Sequence, residues 1–231
     1  MAMDTDDTVR AAAGAVLDAA LVHVPFDGWS DRTLRAAVAE AGVDPGLARA
    51  LFPRGAVDLA LAFHRRGDAV MLDRLKAADL VSMRYRDRVT AAIRYRLEAV
   101  TDKEVVRRDT TLFALPTHAA DGAKAIWGTA DSIWTALGDT SRDVNWYTKR
   151  ATLSAVYAAT VLYWLGDDSI GHQNTWEFLD RRIDDVMRIE KAKAGLRDNP
   201  LSKALLAGPL KLLERVKAPS LPDDLPGNFR F

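Results

Sequence analysis

The sequence predicts an all-α fold, a helical bundle around one apolar core, and three observations carry the prediction. Residues 122–166 read as two apolar helices joined by a short polar loop, and they hold four of the six tryptophans, Trp127, Trp134, Trp146 and Trp164. The segments on either side set apolar residues at helical spacing between helix caps and breakers. Hydrophobic residues make up 48% of the 231, enough for a full core.

A first helix is predicted over residues 8–23, with Val9, Ala12, Val16 and Ala20 on one face. Asp27-Gly28-Trp29 makes a turn, and Ser30 caps a second helix that Gly42 closes. Asp44 and Pro45 open a third as N-cap and first-turn proline. Pro53-Arg54-Gly55 breaks it, and a fourth begins at Ala56. Residues 68–115 are helical and heavily charged, with Val89, Ile93 and Leu97 as a buried stripe. Arg84, Arg86, Arg88, Arg94 and Arg96 make this stretch a candidate surface for phosphates or lipid head groups. The preferred reading is a solvated face paired with nearby acids.

In the central pair, Ile126, Ala130, Ile133 and Leu137 recur at helical spacing, and Gly138 ends the first helix as a C-cap. Asp139–Asp143 supplies turn and N-cap residues. The second helix, Asn145 to Leu165, is almost uncharged after Arg150. A helix that is apolar nearly all round lies in a core or lines an apolar cavity. Next, Asn174 and Glu177 suggest a capping box for a helix over 175–194, with Trp176, Leu179, Ile183, Val186 and Ile189 on its inner face. Gly195–Pro200 is a break. Beyond it, residues 201–217 place Leu201, Leu205, Leu206, Leu210 and Leu213 on one half of a helical wheel and Lys203 and Lys211 on the other, with a net charge of +3. That is the profile of an interfacial membrane helix, although docking on the core or on a second subunit fits the same pattern. The Pro-rich stretch 218–231 has the composition of a disordered tail. Four regions follow: 8–67, 68–194, 195–217 and 218–231.

Composition narrows the function. The formal net charge is zero, so the chain as a whole attracts neither nucleic acid nor anionic lipid. Without cysteine there are no disulfides, thiolate metal sites or thiol nucleophiles, which fits a reducing compartment. The longest nearly uncharged run, Ala151–Gly166, is short for a membrane span. His23, His64, His118 and His172 lie far apart and outside any metal-binding motif, and there is neither a Gly-rich phosphate loop nor a GxSxG elbow. The expectation is a protein that is not an enzyme and carries no metal or cofactor. The start of the second central helix is more informative. Trp146 and Tyr147 stand beside Asp139, Asp143 and Asn145, an aromatic pair with a polar rim, as in protein-interaction hot spots. The plainer alternative has Trp146 capping the core and Tyr147 lying on the surface.

The three short N-terminal helices follow an order similar to the helix-turn-helix of TetR-type regulators, in which the third helix enters the major groove. Residues 1–67 carry seven arginines against nine acids, and residues 46–55 offer Arg49 and Arg54 but no Lys, Tyr, Ser or Thr to hold a phosphate. A helix-turn-helix shape without DNA binding is expected.

The run GD-x-S-x-D-x-NWYTKR (Gly138–Arg150) and the run TW-x-FL-x-x-RIDDVM (Thr175–Met187), with FDGW (Phe26–Trp29) and LFPRG (Leu51–Gly55), resemble the ubiquinone-biosynthesis accessory protein of mitochondria and alphaproteobacteria. That family is the TetR-like lipid-binding partner of the demethoxyubiquinone hydroxylase. The resemblance implies a TetR-like helical bundle with a degenerate helix-turn-helix, a homodimer, and an apolar cavity for an isoprenoid quinone intermediate or another lipid. Cavity candidates are Trp127, Ile133, Trp134, Leu137, Leu153, Val156, Tyr157, Val161 and Trp164. It also implies that Asp139, Asp143, Asn145, Trp146 and Tyr147 dock the hydroxylase, and that the amphipathic stretch, with Leu201, Lys203, Leu205, Leu206, Leu210, Lys211 and Leu213, engages the membrane surface. The acidic start MAMDTDDT has the composition of neither a signal nor a transit peptide, so an alphaproteobacterial member is expected, cytoplasmic and peripheral on the inner membrane. The competing function is a TetR-type repressor with a hydrophobic effector.

Overall fold

Helix caps written into the chain set the order of elements in the computed structural model, which describes residues 5–198 and 217–219. The helices are α1 (Thr5–Asp27), α2 (Asp31–Glu40), α3 (Pro45–Leu51), α4 (Ala56–Ala77), α5 (Tyr85–Glu98), α6 (Lys103–Phe113), α7 (Ala119–Ala136), α8 (Val144–Leu165) and α9 (Gln173–Asp198). Among the described residues there is no strand. Ser30 Oγ accepts from Thr33 N at 3.2 Å to cap α2, and Asp44 Oδ1 accepts from Leu47 N at 2.9 Å to cap α3, both as predicted. Asp102 caps α6 in the same way, through Glu104 N at 2.8 Å.

The core has two centres. Toward the N-terminal helices, Val16, Leu17, Ala20 and Val24 of α1 pack with Ala37, Phe52, Leu59, Ala60 and Val105. Over Asp7–Asp27, α1 is long and apolar enough by length and composition to cross a membrane, with a mean hydropathy of 1.4. The nearly uncharged run Ala151–Gly166, expected to be short for a span, does not meet this test; among the described residues α1 does. One flank of α1 is buried, and the other leaves Val22 and Phe26 exposed at 66% and 83%. The second centre joins Met71 and Leu75 of α4, the predicted stripe Val89, Ile93 and Leu97 of α5, and residues of α7, α8 and α9. Helix α4 contributes to both centres and ties the bundle together.

The arginine-rich face of α5 is paired with acids, as preferred. Arg84 meets Asp87 at 2.8 Å, Arg94 meets Glu98 at 2.7 Å, and Arg86 meets Asp184 of α9. Arg96 departs from that reading, because it is buried rather than solvated.

Two predictions near α9 are corrected. Its N-terminus is not a capping box of Asn174 and Glu177. Asp167 Oδ2, eight residues upstream, accepts from Thr175 N at 2.9 Å, and Ser169 Oγ accepts from Asn174 N at 3.2 Å. The 3-10 turn Ile170–His172 folds the chain back so that these oxygens reach the orphan amides. Burial works against the Asp167 charge, but the hydrogen bonds from Ser169 and Thr175 prevail and hold its carboxyl far below the usual range. Second, α9 runs through Gly195 to Asp198, past the break predicted at Gly195. The predicted membrane residues Leu201, Lys203, Leu205, Leu206, Leu210, Lys211 and Leu213, and most of the tail, lie outside the described residues.

Candidate functional site

The α7–α8 turn brings the predicted interaction residues together. Gly138 takes φ +79°, the left-handed backbone that glycine adopts without a Cβ clash, and turns the chain out of α7. Asp139 then swings inward, where its side chain is only 2% exposed. It accepts from Lys149 Nζ at 2.7 Å, from Ser141 Oγ at 2.8 Å and from Arg150 Nη1 at 3.1 Å. Burial alone would raise this carboxyl, but the hydrogen bonds from Lys149, Ser141 and Arg150 outweigh it and hold it at about 2. Arg150 is itself buried, and its Nε reaches Asp131 at 2.5 Å. Asp143 is the α8 N-cap, with Oδ1 accepting from Asn145 N at 3.0 Å and Oδ2 from Asn145 Nδ2 at 2.8 Å.

This ion latch carries an aromatic platform. The Arg150 guanidinium lies 4.0 Å from the Trp146 ring centroid, and Trp127 approaches the same ring at 5.9 Å. Tyr147 meets Trp146 edge-on at 4.8 Å, and both rings are half-buried. The Tyr147 hydroxyl donates to the Lys217 carbonyl at 3.2 Å, while Ala218 N donates to the Arg142 carbonyl at 3.0 Å. The chain just beyond the amphipathic stretch is thereby fastened to the platform.

A cavity of about 390 Å³ opens between α4, α5, α6, α7 and α8. Its wall is mainly apolar, with Phe63, Val106, Phe113, Ile126 and Val161, and Leu162, 61% exposed, stands at its edge. One side is polar. His64 Nε2 donates to Thr129 Oγ1 at 2.8 Å, Thr129 Oγ1 donates to Asp68 Oδ1 at 2.8 Å, and Arg96 Nε donates to the same Asp68 oxygen at 2.7 Å. Arg96 Nη2 reaches the His64 carbonyl at 3.1 Å. The guanidinium lies flat against α4 because residue 67 is glycine, where a Cβ would sit 2.4 Å from Arg96 Nη1. Burial, aided by the Arg96 charge, lowers His64 to about 4, so it is neutral at physiological pH. Burial likewise pushes Tyr157 up to about 12. Asp109 of α6 faces the same cavity.

The predicted cavity residues are divided by the fold. Tyr157 and Val161 line this cavity. Trp134, Leu153 and Val156 line a second one of about 250 Å³ between α5, α7, α8 and α9. Ile133 and Trp164 are closed into the core, Leu137 packs against it, and Trp127 belongs to the Trp146 platform. Sequence reasoning missed the walls from α4, α5 and α6. A signal was present in α6, where Asp109 sits on the same stripe as Val106 and Phe113 at helical spacing, an acid in an otherwise apolar row. Among the described residues no group of three or more His, Asp or Glu is arranged to hold a metal ion.

Fold and helix order define the class: an all-α, TetR-like protein. The TetR transcriptional regulator from Nitrosomonas europaea ATCC 19718 matches it with a TM-score of 0.60 over 74% of this chain and 95% of its own, at 20% identity, a likeness of fold. Within that class, residues 119–190, which hold the α7–α8 turn and most of α9, match the sequence model of the COQ9 family. The mitochondrial ubiquinone biosynthesis protein COQ9 of Drosophila melanogaster is 34% identical over 189 residues, 80% of this chain and 57% of that protein. The human protein of the same name is 30% identical over 188 residues, 75% of this chain and 57% of its own. A probable coq9 protein of Dictyostelium discoideum is 29% identical over 192 residues, 79% and 62% of the two chains. This chain therefore spans less than two thirds of the length of these relatives.

Proposed function

We propose that this chain is a non-catalytic accessory protein of ubiquinone biosynthesis that binds an isoprenoid quinone intermediate and presents it to the demethoxyubiquinone hydroxylase. The relatives' names point to the pathway. The observation that carries the lipid reading is the apolar cavity of about 390 Å³. Ligand sites range over roughly 300–1,000 Å³, so this one suits a head group and a short length of chain, with the remaining tail leaving past Leu162. A tail gains about 0.8 kcal/mol per methylene removed from water. Transfer between bilayer and cavity is then nearly neutral, because both media are apolar. The Trp146–Tyr147 platform is the docking face for the hydroxylase, with Asn145 and Asp143 at its rim and Asp139 acting from beneath by holding Lys149 and Arg150. Its link to Lys217 sets the end of the cationic amphipathic stretch beside that face, so that partner and membrane surface are met together. A homodimer, peripheral on the inner membrane, is part of the proposal.

Two measurements test it. Native mass spectra of purified protein should carry a lipid adduct. The hydroxylase of the same organism should be captured by the wild type and lost by Trp146→Ala/Tyr147→Ala with unchanged circular dichroism. Failure of the wild type to capture it, even with membranes present, would sink the docking assignment. The repressor reading is disfavoured by the third helix and the turn that follows it. Arg54 is held at 2.9 Å by Asp58 and at 3.0 Å by Asp121, and Arg49 Nε bonds the Pro45 carbonyl. Salt-dependent, sequence-preferring DNA binding would restore it.

A further inference from the structure

Residues 217–219 are fastened to the aromatic platform through one peptide unit. The Tyr147 hydroxyl donates to the Lys217 carbonyl at 3.2 Å, and the Ala218 N–H donates to the Arg142 carbonyl at 3.0 Å. That carbonyl and that N–H are the two halves of the Lys217–Ala218 peptide. Among the described residues no peptide bond is cis, and in a trans unit the two groups point in opposite directions. The Tyr147 side chain and the Arg142 carbonyl therefore grip a single backbone unit from its two sides. The sequence favours the conformation that is gripped. Pro219 follows Ala218, and a residue before proline is held extended. The segment reaches its seat with less freedom to lose than an ordinary tripeptide.

The hold is light. Lys217 and Pro219 are exposed, and only Ala218 is half-buried. The platform beneath has its own support, the buried Asp139–Arg150 ion pair at 3.1 Å and the Arg150 guanidinium under the Trp146 ring. Lifting the segment off leaves Trp146 and Tyr147 in place, with one donor and one acceptor freed. A phenolic hydroxyl has a single proton to give, so Tyr147 gives it to residue 217 or to a partner. We propose that residues 217–219 are an internal cover on the docking face, and that the partner's contact segment is an extended peptide that takes the same seat. Its carbonyl accepts from the Tyr147 hydroxyl and its N–H donates to the Arg142 carbonyl. Cover and partner exclude each other there. The displaced segment stays joined to α9 through residues 199–216, so the amphipathic stretch is kept beside the docked pair. The cover rests on the reading of Trp146 and Tyr147 as the docking face. It adds what the partner presents to that face and what it must displace.

The test is interferometric binding of the full chain and two variants to the hydroxylase of the same organism, with hydrogen exchange read at Ala218. Ala218→Pro deletes the N–H that Arg142 holds and leaves length and charge unchanged. Deletion of residues 217–231 removes the cover outright. Each variant, with circular dichroism unchanged, should bind the hydroxylase about fivefold more tightly than the wild type, the value of one exposed hydrogen bond no longer broken on docking. In the wild type, exchange at the Ala218 amide should be slowed in the free chain and quicken in the complex. Equal or weaker binding by either folded variant, or an amide that stays protected in the complex, makes the segment a fixed part of the face. Either result overturns the cover and leaves the docking face standing, and so does an amide unprotected in the free chain. If neither the wild type nor the deletion variant binds the hydroxylase, the docking reading falls and the cover with it.

Discussion

The α7–α8 turn and the polar wall of the cavity both bury charge, and they treat it in opposite ways. At the turn, Asp139 is served by three side-chain donors, and Arg150 by two carboxylates and a backbone carbonyl. In the cavity, Asp109 has no hydrogen bond at Oδ1 and a cation only near by. One carboxyl is therefore held at about 2 and the other lifted to about 7. A satisfied buried charge fixes the shape of a surface, here the Trp146 platform. An unsatisfied one is a cost to the fold.

The largest effect should come from breaking the latch. Arg150→Met leaves Asp139 buried with its nearest cation, Lys149, on a side chain 37% exposed. Removing one partner of a buried ion pair costs about 3–5 kcal/mol, so urea unfolding should show a loss near the lower figure and a disturbed Trp146 emission. A loss under 1 kcal/mol would mean that the latch is dispensable. A smaller effect, of opposite sign, is expected in the cavity. Asp109→Leu removes an underserved acid and should leave stability at neutral pH unchanged or raised by about 1 kcal/mol.

The pH dependence separates the two sites further. Asp139, with its folded pKa lowered from 3.8 to about 2, contributes stability above pH 4 that is lost as pH falls toward 2. Asp109, raised from 3.8 to about 7, does the reverse, because the folded state holds its proton more tightly and stability falls as pH rises from about 4 to 7. Thermal melts of the wild type and Asp109→Leu across that window should diverge, with the variant flatter. Parallel curves would remove Asp109 from the account. The smallest effect belongs to Tyr147→Phe, which deletes the bond to the Lys217 carbonyl. Global stability should change by about 0.5–1 kcal/mol at most, while proteolysis near Lys217 should quicken.

Much of this could be read from local pattern. Ser30, Asp44 and Asp143 act as the caps their residue types suggested, and Val89, Ile93 and Leu97 are the buried stripe of α5. The α7–α8 residues cluster because they are near neighbours in the chain. The misses are long-range. Asp167 caps α9 from across the Ile170–His172 turn. Arg96 looked like one more solvated arginine, and its burial depends on glycine at position 67 of a different helix. Trp134 and Val161, both read as lining one cavity, face two.

By itself, the sequence determined which segments are helical and which face of each turns inward, because a 3.6-residue period and the orphan amides at a helix end are satisfied within a few residues. Tertiary structure alone decided where inward faces fail to meet and leave a void, and which buried charge finds its partners. Both depend on the spacing of several helices at once. Side chains that fill a core and side chains that border a cavity obey the same periodicity, so only the packed bundle tells Ile133 from Val161, or Asp139 from Asp109.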